Sequence, residues 1–383
     1  MTLSVKQKTD LHIPLSEPDI TEAEIAAVTA ALRTPRLSLG QQLLEFESDL
    51  ARYVGSAHCV ALSSGTAGLH LALLVAGIGP HDEVIVPSFT FIAVANAVRY
   101  VGALPVFVDI DECTLNLAPA AVEAAITPRT RAIIVVHTFG VPAALDELLH
   151  IGRRHHLRII EDACESLGGE YLGRKLGACG DVGVFGFYPN KQITTGEGGA
   201  LVTNDAAMAA RARSLRNQGR GNSGDWFEHQ EIGYNYRISE LHCALGRVQL
   251  SRIDEILAKR AAVAQMYSAR LAAETRLVLP MTATTDGKIS WFVYVVRLQH
   301  NADTKARDEI ARFLTQRGIG CGRYFAPIHW QPAYRAVPHR CTDLRVTESV
   351  ASRTLALPFF SALSSERVDA VCEVVAAAFR LPR

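Results

Sequence analysis

The chain has no excess of either charge: 39 lysines and arginines face 39 aspartates and glutamates in 383 residues. A general nucleic-acid binder carries a basic surplus, so that class is excluded. No block of about five like charges forms an acidic or basic tail. No apolar run reaches the roughly 18 residues that a membrane span needs. The N-terminal stretch MTLSVKQKTDLHIPL lacks the apolar centre and small-residue cleavage site of a secretory signal, and a cytoplasmic protein is expected. Eight cysteines (Cys59, Cys113, Cys164, Cys179, Cys243, Cys321, Cys341 and Cys372) form no C-x-x-C and read as reduced core thiols. His329, His339 and Cys341 match no zinc spacing, so no metal is expected. Internal repeats and low-complexity segments are lacking as well.

What the chain does have is alternation. Thr21-Glu22-Ala23-Glu24 reads as a capping box opening an amphipathic helix to about Arg33, and a second helix is expected over Gln41 to Tyr53. Strand-like runs follow at His58–Leu62, Glu83–Val86, Leu104–Val108, Arg131–Val136 and Arg158–Glu161. Helical patterns separate them at Thr66–Ala76, Phe91–Tyr100, Ala120–Ile126 and Leu145–His156. Strands alternating with helices predict an α/β fold with a largely parallel sheet covered on both faces. Val182–Phe187 and Gly199–Val202 add two strands around a glycine-rich segment. A helix over Ala206–Arg216 and a long one from Ser239 to about Tyr267 come next. The texture then changes to a strand-like Trp291–Leu298, a helix over Thr304–Arg317, proline-marked loops and a final Ala/Val helix. The organisation expected is an arm over 1–20, a large domain over 21–260 and a small C-terminal domain over 261–383.

Ligands of open α/β sheets collect at the carboxyl ends of the strands, and three segments sit there. Ser63-Ser64-Gly65-Thr66 offers hydroxyls and backbone N–H groups at a helix start, which suits a phosphate but also describes an ordinary N-cap. Ile159-Ile160-Glu161-Asp162 is an apolar strand ending in carboxylates, able to hold a cation or a protonated ring nitrogen or to cap a helix. Lys191 stands alone in a loop rich in Gly and Thr, where a partly desolvated amine can serve as an imine-forming nucleophile, although by itself it also reads as a surface lysine in a flexible loop. Neither a P-loop nor a strand-linked G-x-G-x-x-G is present. An anion cradle, an acid and an imine lysine on successive strand ends are what pyridoxal 5'-phosphate (PLP) needs.

The order of IPLSEPDITEAEI, SSGTAGLHLAL, DEVIVPSFTFIA, EDACESLG, FYPNKQITTGEGGALVTND, GYNYRISELHCALG, APIHWQPAY and LPFFSALS resembles the DegT/DnrJ/EryC1/StrS sugar aminotransferases nearly end to end. The resemblance implies PLP fold type I: a large domain with a mostly parallel seven-stranded sheet and a smaller α+β C-terminal domain. It implies that Lys191 bonds the cofactor, that Asp162 pairs with its pyridine nitrogen, and that Ser64, Gly65 and Thr66 hold its phosphate. Phe91 would lie against the ring and Glu165 near the ring hydroxyl. Asn235 would reach the phosphate in the neighbouring subunit, which implies a homodimer with shared sites. Arg220, Arg237, Tyr324 and His329 would line the substrate side. Many relatives have a serine at the position of Gly186, and its hydroxyl is missing from this cradle.

The activity implied is two-stage transamination from L-glutamate to a keto sugar on a nucleoside diphosphate, with the cofactor cycling through pyridoxamine 5'-phosphate (PMP). A PMP-dependent dehydratase of the same family would carry histidine in place of Lys191, and a silent regulator would not need Lys191 and Asp162 together. Arg216, Arg220, Arg237, Arg323 and His329 fall in segments the resemblance assigns to the cleft, which predicts a positive pocket in a neutral protein.

Overall fold

The structure is a computed structural model that describes residues 12–221, 228–300 and 302–380. The chain opens with α1 (Glu22–Leu32), α2 (Gln41–Val54), β1 (His58–Leu62), α3 (Gly65–Val75), β2 (Glu83–Pro87) and α4 (Ala93–Tyr100). It continues through β3 (Leu104–Val108), α5 (Pro119–Ala125), β4 (Thr130–Val136), α6 (Leu145–Arg154) and β5 (Arg158–Asp162). After β6 (Glu170–Tyr171) and β7 (Arg174–Lys175) come β8 (Val182–Gly186), β9 (Gly199–Thr203), α7 (Ala206–Arg216), α8 (Glu240–Ser251) and α9 (Ile253–Leu271). The last part holds β10 (Leu277–Val278), β11 (Gly287–Lys288), β12 (Tyr294–Leu298), α10 (Thr304–Thr315), β13 (Arg340–Cys341), α11 (Arg345–Arg353), β14 (Thr354–Leu357) and α12 (Ser365–Ala378).

The main sheet has eight strands in the order β1-β9-β8-β5-β4-β2-β3-β13, one more than expected. The extra strand is the two-residue β13, which pairs parallel to β3 at the edge. It is too short for a period to show in sequence. Only β9 runs against its neighbours β1 and β8. Val84, Ile85, Val86, Ile133, Ile134 and Val135 are all fully buried, so successive residues on both faces lie under cover. That is why these strands read as continuous apolar runs rather than alternating ones.

Thr21 caps α1 in the box foreseen: its backbone N–H donates to Glu24 at 2.8 Å while its hydroxyl accepts from the Ala23 N–H. The Glu24 carboxylate also accepts from Gln249 and Arg252, which seats α1 on α8. The single long helix expected from Ser239 is instead two, α8 and α9, broken at Arg252. Two forces meet there: the Arg252 guanidinium is pulled out to Asp19 and Glu24, and Asp254 and Glu255 favour a new helix N-terminus.

The C-terminal part forms a second core. Tyr267 and Leu271 of α9, Tyr294 and Val296 of β12, Leu355 of β14 and Val371 of α12 pack together, and Ile13 from the N-terminal segment joins them. A three-stranded sheet β10-β12-β14 carries that core. All eight cysteines are free. Among the described residues no helix is long and apolar enough to cross a membrane, and no group of His, Cys, Asp and Glu converges as a metal site.

Candidate active site

A cavity of about 540 Å³ opens at the carboxyl ends of β1, β2, β4, β5 and β8. Asp162 enters it from the last residue of β5. The period of two along a strand sends its neighbour Glu161 to the opposite face. There Glu161 is wholly buried and accepts hydrogen bonds from His137 and from the Gly177, Cys179 and Gly180 N–H groups. Burial opposes its ionisation, but those donors outweigh it and hold its pKa below the usual carboxylate range. Of the two adjacent carboxylates, Glu161 is thus structural and Asp162, the one expected in the cleft, lines the cavity. Asp162 accepts the Cys164 N–H at 3.1 Å and has no ion-pair partner among the described residues.

Lys191 reaches the cavity from the loop after β8, its backbone N–H bonded to Tyr188 O at 2.9 Å. Its ammonium lies 4.0 Å above the centre of the Phe292 ring and 3.7 Å from Glu165 Oε1. The other Glu165 oxygen accepts the Phe139 N–H at 2.9 Å. That bond ties down a residue in the left-handed region, φ 56°, where a bulky side chain is strained by about 1 kcal/mol or more. Burial is the largest influence on Glu165 and raises its pKa above the ordinary value, against the pull of Lys191.

Ser64 caps α3, its hydroxyl accepting the Ala67 N–H at 3.1 Å. Gly65 and Thr66 follow in the first turn and line the cavity, where helix N–H groups have no intrahelical partner. Gly65 and Gly186 face each other across the Cys164 thiol; a Cβ on Gly186 would stand 3.3 Å from that sulfur, and one on Gly65 2.9 Å. The missing serine hydroxyl has a sulfur beside its place.

Among the expected residues, Ser64, Gly65, Thr66, Phe91, Asp162, Glu165, Lys191 and Tyr324 gather around this cavity. Asn235, Arg220, Arg237 and His329 do not line it. Asn235 pairs with Asn217, and Arg237 donates to Asn217 and Gln218. Arg220 bridges to His229, beside residues 222–227, which lie outside the described residues. His329 is held by Ser88 and Glu348. The expected positive pocket also loses Arg216, which is buried at the wall of the sheet against Glu47 and Ala61 O, and Arg323, which pairs with Asp308. Among the described residues that line the cavity, Lys191 is the one cation.

Residues not foreseen also line it: Thr90, Cys164, Phe187, Tyr188, Asn190, Glu197, Phe292 and Phe325. Tyr188 and Asn190 were in plain sight beside Lys191; Phe292 and Phe325 carry no local signal. Asn190 Oδ1 is buried with no hydrogen-bond donor among the described residues. An unpaired carboxylate, an orphaned amide oxygen, a lysine on an aromatic face and a glycine-lined helix start fit a flat, phosphate-bearing ring with a protonated nitrogen. The residues present therefore suit PLP.

The sequence model of the DegT/DnrJ/EryC1/StrS aminotransferase family matches residues 18–376. The chain is 44% identical over 337 residues to the GDP-perosamine synthase of Caulobacter vibrioides, covering 87% of this chain and 89% of that one. It resembles the crystal structure of S. venezuelae DesV with a TM-score of 0.88 at 38% identity, covering 97% and 100% of the two chains. Spr1654 from Streptococcus pneumoniae, solved in a PLP form, superposes with a TM-score of 0.91 at 29% identity over 96% of this chain and 98% of that one, and a PMP form is also known. The chain belongs to the DegT/DnrJ/EryC1/StrS aminotransferase family and is a PLP-dependent aminotransferase that cycles its cofactor between PLP and PMP.

Proposed function

We propose that this aminotransferase moves the amino group of L-glutamate to a keto sugar carried on a nucleoside diphosphate, as a homodimer, for amino-sugar biosynthesis. The observation that carries the reading is the pairing, in one cavity, of an unneutralised Asp162 with Lys191 seated on Phe292. The GDP-perosamine synthase likeness supports a nucleotide-linked sugar as acceptor.

Bound PLP supplies an electron sink for the charge that develops when the donor Cα–H bond breaks, and it carries the amino group between the two substrates. Lys191 would be the residue that holds the cofactor, and its free amine would take the proton from the donor Cα and return one to the acceptor carbon. Asp162 would supply the negative charge that favours a proton on the pyridine nitrogen. Thr66, Ser64 and the first-turn N–H groups of α3 would hold the phosphate. Glu165 braces the Phe139 turn beside the Lys191 amine.

Partner residues complete the site. Phe91 and Tyr188 are 60% and 54% exposed at the cavity rim, and Ile232 is 91% exposed, a pattern of bare apolar groups that suits a protein interface. Asn235, Arg220 and Arg237 lie away from their own cavity, and a two-fold dimer would bring them to the neighbour's. That arrangement supplies the phosphate-binding cations a single protomer lacks. A cytoplasmic location fits this chemistry.

The experiment is direct. Purified protein with PLP should absorb in the visible, bleach on L-glutamate, and regain colour with a nucleotide keto sugar from a small panel. Lys191→Ala should bind cofactor and fail both steps. Turnover by that variant would sink the assignment, and a dehydrated product in place of an amino sugar would point to the dehydratase.

A further inference from the structure

α9 buries an arginine that no acid among the described residues pairs with. Arg260 is 2% exposed, and Asp19 acts on it only through space. Burial pushes its pKa down to about 10, still far above neutrality. A desolvated guanidinium is costly wherever its donors are not spent on good acceptors. Here the acceptors are backbone carbonyls from two distant segments. Nε donates to Trp291 O at 2.8 Å, and Nη2 donates to Phe292 O at 2.7 Å and reaches Asn190 O at 3.4 Å. The guanidinium also lies 5.2 Å over the Phe359 ring.

These carbonyls are not scattered. Asn190 is the residue before Lys191, and Phe292 supplies the ring 4.0 Å beneath the Lys191 ammonium. One cation therefore grips both the backbone that launches the lysine and the aromatic seat on which its tip rests. A purely structural link between these segments could be made by apolar packing of the same volume, often with no loss of stability. A fork with donors at fixed angles adds alignment of two chain segments relative to each other.

We propose that Arg260 is the positioning residue of Lys191, fixing the amine over Phe292 so that it stands in line with the proton it transfers. The proposal rests on the reading of Lys191 as the proton-moving group. Misplacing such a group by about 1 Å costs on the order of 100-fold in rate.

The test uses holoenzyme and apoprotein of Arg260→Lys and Arg260→Met. In the holoenzyme, Arg260→Met should lose about 100-fold in kcat with KM for L-glutamate nearly unchanged, while the isotope effect with α-deuterated L-glutamate rises as proton transfer becomes limiting. Arg260→Lys, which keeps the charge but not the fork, should fall between. In the apoprotein, Lys191 should acetylate several-fold faster in Arg260→Met than in wild type, read by peptide mass spectrometry. Unchanged kcat and unchanged labelling in both variants overturn the proposal. So does activity lost only in proportion to folded protein, in either variant, since that is a scaffold role. If Lys191→Ala itself turns over, the underlying reading fails; if Lys191 is essential and the Arg260 variants are untouched, only this proposal does.

Discussion

The His329 ring hangs from Ser88: Oγ lies 2.7 Å from Nδ1, and the His329 backbone N–H returns to the same hydroxyl at 3.3 Å. The far ring nitrogen meets Glu348 at 3.2 Å. The histidine is thus a tie between the end of β2 and α11. Burial lowers its pKa from the usual 6.5, against the raising pull of Glu348. An unfolded chain then takes the proton first, so this tie's contribution falls as pH drops below 6.5. His329→Asn should cost about 1 kcal/mol per lost hydrogen bond at pH 8, and its stability gap to wild type should narrow below pH 6.5. Chemical denaturation at both pH values checks this; a gap independent of pH contradicts it. Ser88→Ala combined with His329→Asn should cost less than the two added separately.

Asp162→Asn removes charge without changing shape. The variant should fold and bind cofactor while losing at least about 100-fold in kcat, because a neutral amide no longer favours a proton on the ring nitrogen. Stopped-flow traces of the L-glutamate half-reaction measure it. A rate within a few-fold of wild type would show that another group carries that role.

Glu165 gives opposite outcomes for two substitutions. Its pKa is raised, so the fold favours the neutral acid, and that contribution fades as pH climbs from 4.5 through the raised value. Glu165→Gln should therefore be no less stable than wild type at pH 7. Glu165→Ala strips the Phe139 N–H of its acceptor and should cost about 1–3 kcal/mol. Thermal melts of the apoproteins separate the two; equal losses would mean that the charge, not the hydrogen bond, matters.

Acid should open the molecule at α1. Burial resists ionisation of Glu24, yet bonds from Thr21, Arg252 and Gln249 prevail and hold its pKa at about 2. A depressed carboxylate contributes stability above 4.5 that is lost as pH falls towards 2. Glu24→Gln should be destabilised by about 2–3 kcal/mol at neutral pH and show a flatter acid limb between pH 4.5 and 2. Identical limbs would remove Glu24 from the account.

Gly186 and Cys164 share one space, the added Cβ standing 3.3 Å from the sulfur. Gly186→Ser alone should crowd the cradle and weaken PLP. Paired with Cys164→Ala it should bind PLP at least as tightly as wild type, a hydroxyl replacing the thiol. Equilibrium titration of the apoproteins with PLP decides; equal affinities for single and double variants would mean that the sulfur is not in the way.

Much of the sheet was legible because its strands are short, apolar and bounded. β1 and β3 fall where the apolar runs do, and β5 ends on the carboxylates that drew notice. Strands of two residues, β6, β7, β10, β11 and β13, are too short to show a period. The break at Arg252 was signalled by Asp254 and Glu255 but masked by continuous helix formers. The cavity was half legible. Residues inside quoted motifs could be placed; the Phe292 seat could not, since nothing at its own position marks it. His329 and Ser88 lie 241 residues apart, and no local pattern tells whether such a ring faces a substrate or a neighbouring loop.

β13 has a mechanical consequence. The Ile328 N–H bonds to Ser88 O, Tyr334 sits in the core under the main sheet, and Arg340 reaches Glu83 at the start of β2. Residues 328 to 341 are therefore riveted to the sheet, although the chain on either side, Ile319 and Leu355, packs in the second core. The polypeptide crosses between the two cores more often than a single swivel at α9 would allow. Any closing of the cleft must slide the second core as a drawer between fixed rails, or leave that staple behind on the sheet.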